Sequence, residues 1–98
     1  MATFYATKDP NSDLDYAINW GDWLVGTDTI STSTWTGPTD LTIYGDSHGT
    51  ATTTTWISGG TSGEVYTVTN RVQTAAGRID ERSIEFTMVD KYWMRSSI

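Results

Sequence analysis

A strict alternation of apolar and polar side chains near the N-terminus constrains the fold of this chain more than any other feature. Every second residue is large and apolar, and these residues are Leu14, Tyr16, Ile18 and Trp20. Aspartate, alanine or asparagine lies between them. Because successive side chains of a strand point to opposite faces, the pattern predicts a β-strand with one buried face and one solvated face.

The remainder of the chain repeats this pattern between turns. Residues 66–73 and 83–88 alternate in the same way, and threonine-rich runs with isolated Ile and Trp lie before them. Branched and aromatic side chains favour strands over helices, and clusters of Gly, Asn, Asp and Ser separate the runs. Six or seven strands at this spacing, in 98 residues, predict one all-β domain that is a sandwich of about seven antiparallel strands.

The alternation also predicts the core. The inward-facing set includes one or more of Trp23, Trp35 and Trp56; its other members are Leu14, Tyr16, Ile18, Trp20, Leu41, Ile43, Ile57, Tyr66, Val68, Val72, Ile84, Phe86 and Met88. Ile30 and Trp35 lie an odd number of residues apart, so they cannot share one face of a regular strand. We therefore expect either a β-bulge between them or one side chain on the outside.

Charge and composition exclude several classes of function. The net charge of −6 repels phosphate backbones, which argues against a nucleic-acid partner. No apolar run is long enough to span a membrane. The single histidine, in the polar turn 46–48, leaves little equipment for acid–base catalysis, so we expect no enzyme. Asp9, Asp13 and Asp15 match no calcium-loop spacing. We expect no metal and no cofactor.

Aromatic residues near both ends indicate contact segments. Phe4 and Tyr5 lie in residues 1–12, and Tyr92, Trp93 and Met94 lie in residues 90–98. Exposed apolar clusters tend to mark contact sites. We therefore expect residues 1–12 and 90–98 to dock, either back onto the sandwich or onto another chain.

The basic residues around the last predicted turn are a second set of candidates. Arg71, on the outward parity of its strand, and Arg78 and Arg82 lie close in sequence to Asp80 and Glu81. This mixed-charge group is either a solvated loop with weak ion pairs or a contact to a neighbouring subunit. Arg71 and Arg78 are the interaction candidates.

Residues 59–88 resemble the last hairpin of immunoglobulin-like domains of the PKD and bacterial Ig-like kind. A glycine-rich loop leads to Tyr66-Thr67-Val68, a long strand, an Ala-Gly turn and an alternating closing strand. The resemblance implies an immunoglobulin-like sandwich. It also implies a tyrosine corner at Tyr66, whose hydroxyl would reach backbone upstream.

Most of the chain also resembles a group of small structural proteins of tailed bacteriophages. The segments that carry this resemblance are Lys8-Asp9-Pro10, Leu14 to Trp20, Trp23-Leu24, Ser33 to Thr36, Trp56 to Thr61, Tyr66 to Arg71 and Ala76 to Arg78. The resemblance implies a non-enzymatic protein located in the virion. Its partners would be other virion proteins, the major capsid or head–tail proteins, present in many symmetry-related copies.

Two functions are therefore expected, in order of preference. The first is a capsid decoration or head–tail region protein that binds through strand edges and aromatic tails. The alternative is a carbohydrate-binding module on the virion tail or capsid surface, because flat aromatic rings stack on sugars and five tryptophans are present. Trp56 is the residue we would substitute to separate the two.

Overall fold

A computed structural model describes residues 2–90 of the chain. These residues form seven strands, which are β1 (Ala2–Lys8), β2 (Asp13–Asn19), β3 (Ile30–Thr36), β4 (Leu41–His48), β5 (Thr52–Gly59), β6 (Val65–Thr74) and β7 (Ile79–Met88). No helix is present in this part of the chain. The prediction of an all-β, two-sheet fold is confirmed.

The strands form a four-stranded sheet in the order β1-β7-β6-β3 and a three-stranded sheet in the order β2-β5-β4. Every neighbouring pair is antiparallel except β1 and β7, which are parallel. The expectation of antiparallel pairing throughout is therefore wrong for β1. Residues 1–12, predicted as a docking segment, contain this strand, which docks on β7 of the same chain.

The core lies between the sheets and consists largely of the predicted alternating residues. The fully buried side chains include Trp20, Ile57, Val68 and Phe86. Leu14 is a wrong prediction, because it lies on the inward parity of β2 yet is 52% exposed. Among residues 2–90, β2 is an edge strand with a strand paired on one side only, so Leu14 lies at the margin of the core.

A β-bulge resolves the odd spacing on β3. The register with β6 shifts between Ile30 and Thr32. An extra residue in one strand reverses the parity after it, so both Ile30 and Trp35 pack on the core. The bulge alternative is thus the correct one.

A buried polar network joins the two sheets beside the apolar core. The amide oxygen of Asn70 on β6 accepts hydrogen bonds from Trp20 Nε1 at 3.0 Å and from Thr53 Oγ1 at 2.7 Å. Its amide nitrogen donates to Ser33 Oγ and to the carbonyl oxygen of Thr34. All four bonding positions of this buried amide are filled, as a buried polar group requires.

The side chain of Lys8 fixes the end of the sandwich where β1 and β7 finish. The buried ammonium of Lys8 donates to the carbonyl oxygens of Asp9, Ser12 and Gly59 at 2.9–3.1 Å, and burial lowers the pKa of Lys8 from its usual value. These bonds tie the β1–β2 turn to the end of β5.

Tyr66 lies near the start of β6 and bonds to the loop that precedes it. Its hydroxyl accepts from the backbone N–H of Thr61 and donates to Asp40 Oδ2, both at 3.0 Å. The expected contact of this hydroxyl with upstream backbone is therefore present.

Candidate contact surfaces

The sandwich is closed on one side and open on the other. Strands β3 and β4 approach each other across the two sheets, whereas β1 and β2 do not. Phe4 and Leu14 have the parity of core residues but are 45% and 52% exposed. A groove of about 340 Å³ lies at this side, lined in part by Phe4, Tyr16 and Ile84. We call this side of the sandwich the open edge; it consists of the groove residues Phe4, Ala6 and Tyr16 and of Leu14, which lies outside the groove lining on the same parity of β2 as Tyr16.

Tyr16, one of the open-edge residues, packs against the core. The ring of half-buried Tyr16 meets Phe86 edge to face, with centroids 4.9 Å apart and planes at 76°, a favourable arrangement for aromatic pairs. Burial raises the pKa of the Tyr16 hydroxyl. On either side, β1 and β2 each present one edge that no strand of the described domain pairs with.

A second surface lies on the outer face of the three-stranded sheet. Trp56 on β5 has Asp15 of β2 directly opposite on one side and Tyr44 of β4 directly opposite on the other. The two rings are 40% and 43% exposed, with centroids 6.5 Å apart and planes at 32°. We call this surface, made of Trp56, Tyr44, Asp13 and Asp15, the aromatic platform.

A hydrogen bond across the sheet holds the platform in place. The hydroxyl of Tyr44 lies 2.8 and 2.6 Å from the two carboxylate oxygens of Asp13 and donates to them. The carboxylate of Asp13, as acceptor of this bond, raises the pKa of Tyr44 above its usual value. Tyr44 is therefore fixed at both ends, by its backbone in β4 and by its hydroxyl on β2.

The arginines near the last turn point largely into the domain. Arg82 is buried, and its guanidinium stacks on Trp20 with Cζ 4.3 Å from the ring centroid. The same guanidinium donates hydrogen bonds to the carbonyl oxygen of Asn19 and, at 3.1 Å, to Asp22 Oδ1. Arg78 stacks on Trp23 at the same distance. For these two residues the solvated-loop alternative is wrong, and contact with a neighbouring subunit stays a prediction.

The sequence-predicted contact residues do not gather into one patch. Phe4 lies at the open edge, whereas Tyr5 and Arg71 lie on the outer face of the four-stranded sheet and are exposed. Arg78 is half-buried against its tryptophan. Their roles as contact residues stay predictions. The remaining candidates, Tyr92, Trp93 and Met94, lie outside the described residues.

The described residues hold no cluster of side chains placed to bind a metal ion. Residues 2–90 contain no group of three or more His, Cys, Asp or Glu side chains placed to hold a metal ion. His48 is exposed, and its Nδ1 lies 3.0 Å from the carbonyl oxygen of Gly49. Within the same range, no helix is long and apolar enough to cross a membrane.

Comparison with known families decides the biological setting. The model of the family described as podophage GP4 fiber-tail adaptor protein gp77 matches residues 8–87. The chain belongs to this family. The matched region runs from the end of β1 almost to the end of β7 and includes most of the two-sheet body. The protein is therefore a structural component of a phage virion, at the level of the tail. No curated protein matches the sequence.

The sequence alone does not reveal the neighbours of Trp56 in the aromatic platform. It offers Trp56 both as a candidate core residue and as the residue that would test sugar binding, but Tyr44 and Asp15 lie 29 residues apart in the chain. Their neighbourhood depends on the registers of β2 and β4 against β5. The parity of Trp56 against buried Ile57 was the one local signal, since adjacent residues of a strand face opposite sides.

Proposed function

We propose that the protein joins a tail fibre to the tail by adhesion, without catalysis. The observation that carries this proposal is the family match over residues 8–87. The open edge supplies a physical means, because two unpaired strand edges flank half-exposed apolar side chains. An extended segment of a neighbouring protein can add to such an edge, with main-chain hydrogen bonds giving affinity and side-chain pockets giving specificity.

The energetics suit a repeated, individually modest contact. Covering the exposed halves of Phe4 and Leu14 contributes about 1 kcal/mol each, from the value for a fully buried large apolar side chain. Several copies around a symmetric tail multiply such contacts through effective concentration. Capsid decoration and head–tail connection would use the same adhesion on other surfaces, but the family description favours the junction of fibre and tail.

We also propose an immunoglobulin-like classification of the sandwich. Strands β2, β5 and β4 correspond to B, E and D, and β3, β6 and β7 correspond to C, F and G. The hydrogen bond from Thr61 N–H to the hydroxyl of Tyr66, near the start of β6, supports this assignment. The parallel pairing of β1 with β7 is the departure from the arrangement in which the first strand joins the B-E-D sheet.

The function is tested on particles assembled without this protein. Purified protein is added back, and the fibre content of the particles is measured by quantitative mass spectrometry and negative-stain microscopy. We expect particles without the protein to lack fibres and the added protein to restore them. A full complement of fibres in its absence contradicts the proposed function.

A matched pair of variants tests the open edge. Leu14→Ser changes a residue of the open edge that is 52% exposed, and Val65→Ser changes a β6 residue of similar exposure, 55%. We expect Leu14→Ser to restore fibres several-fold less well than Val65→Ser, with similar thermal unfolding temperatures for the two variants. Equal restoration by both variants would place the contact elsewhere.

A further inference from the structure

The domain uses one arrangement of side chains twice. Arg82 stacks on Trp20, and Arg78 stacks on Trp23, each with Cζ 4.3 Å from the ring centroid. In the first case a carboxylate completes the arrangement, since Arg82 also pairs with Asp22. At Trp20, a tryptophan ring and a carboxylate therefore hold one guanidinium together, through cation–π attraction and a charge-assisted hydrogen bond.

Among the described residues, the aromatic platform presents an indole ring and a carboxylate with no cation paired to either. Asp15 is the direct cross-strand neighbour of Trp56. The four basic residues within 2–90 are engaged or placed elsewhere: Lys8 is buried on carbonyl oxygens, Arg71 lies on the outer face of the other sheet, and Arg78 and Arg82 stack on their own tryptophans.

The surroundings of Trp56 leave the platform accessible. Two residues along the same outer face, Thr54 of β5 is paired with Ala17 of β2. Both side chains are short. Gly45, at φ 64°, adds no side chain beside the ring, where a Cβ would lie 3.1 Å from Trp56 Cδ1. The bond from Tyr44 to Asp13 fixes the second ring. The platform is therefore formed before any partner arrives, which lowers the entropic cost of binding.

We propose that the aromatic platform binds an arginine side chain of a neighbouring virion protein, with the guanidinium stacked on Trp56 and bonded to the Asp15 carboxylate. Charge complementarity supports this occupant, because the chain carries a net charge of −6. Arginine fits better than lysine, since its planar guanidinium stacks on an indole and bonds to a carboxylate at the same time. The source of the arginine rests on the proposed function.

The experiment follows the tryptophan indole N–H signals by ¹H–¹⁵N NMR during peptide titration. The probe is the peptide acetyl-Gly-Arg-Gly-Arg-Gly-amide, and its control is the same peptide with neutral citrulline in place of arginine. Trp56→Phe identifies the Trp56 signal by its loss. We expect the arginine peptide to shift that signal saturably at millimolar concentration and to bind about fivefold more tightly than the citrulline peptide.

Two charge variants separate local contact from net charge. Asp15→Asn removes the platform carboxylate. The control, Glu64→Gln, removes the same charge from an exposed residue in the loop before β6, outside the aromatic platform. We expect only Asp15→Asn to weaken binding of the arginine peptide, by about fivefold. Equal effects of the two variants, or equal affinity for the two peptides, overturn the proposal.

A glycan arm tests the other ligand class. If chitotriose or maltotriose shifts the Trp56 signal and the arginine peptide does not, the platform is a carbohydrate site and the proposal is wrong. If no probe shifts it while the protein still restores fibres to particles, the platform proposal fails and the adaptor function stands. Arginine binding without any effect of the protein on fibre content refutes the adaptor function instead.

Discussion

Replacing Asn70 by alanine tests how the two sheets are held together. Within the network described above, Asn70 is the one side chain that bonds to all three parts. These parts are the three-stranded sheet, the loop after β2, and strand β3. Its oxygen accepts from Trp20 and Thr53, and its nitrogen donates to Ser33 and Thr34. Four hydrogen bonds are lost in one substitution.

The magnitude follows from which partners water can reach. Ser33 and Thr34 are partly or largely exposed and can bond to water instead. Trp20 and Thr53 are fully buried, and they retain only their mutual contact at 3.3 Å. At about 1 kcal/mol net for each of the two bonds to buried partners, and about 1–2 kcal/mol more for leaving those partners unsatisfied, the loss is about 3–4 kcal/mol. The whole stability of a domain of this size is about 5–15 kcal/mol.

Urea unfolding followed by tryptophan fluorescence measures this loss. We expect the midpoint to fall with an unchanged slope, and the thermal midpoint to fall by about 12–30 °C. Gln73→Ala, an exposed change on the same strand, is the control and is expected within about 0.5 kcal/mol of the wild type. If Asn70→Ala costs no more than Gln73→Ala, the network does not stabilise the sandwich.

Two other substitutions probe the backbone and the platform. Gly60 has φ 100°, and an added Cβ would lie 2.4 Å from Met88 Cε. Gly60→Ala is therefore expected to lower the free energy of unfolding by about 1–3 kcal/mol. The control Gly49→Ala, with open space around the added Cβ, is expected to have little effect. Equal urea midpoints for the two would refute this reading. The hydrogen bond to Asp13 raises the pKa of Tyr44. The bond therefore contributes its full stability below the pKa that Tyr44 has in the unfolded chain, and this contribution is lost as the pH rises through the pKa that Tyr44 has in the folded protein. Ultraviolet absorbance titration of the tyrosinates is expected to show one tyrosine ionising at lower pH in Asp13→Asn than in the wild type, and identical titrations would contradict the bond.

The sequence predicted the parts of the fold that depend on local pattern. Period-two alternation located β2, β6 and β7, and the odd spacing of Ile30 and Trp35 predicted a bulge as one of two outcomes. These features depend on neighbours along one strand, where side-chain direction follows from parity.

The features that sequence did not reveal depend on pairings between distant segments. The parallel direction of β1 depends on its pairing with β7, and the exposure of Leu14 depends on the position of β2 at the edge of its sheet. The stacking of Arg82 on Trp20 joins residues 62 positions apart. Alternation gives the face of a residue but neither its strand neighbour nor the direction of that neighbour.

The location of the protein in the virion tests the account most directly. A cryo-electron microscopy reconstruction of the intact phage tail is expected to show the seven-stranded sandwich between the tail and the fibre, with its open edge against a strand of a neighbouring protein. Density for the sandwich on the capsid surface, with none at the junction of fibre and tail, would contradict the account.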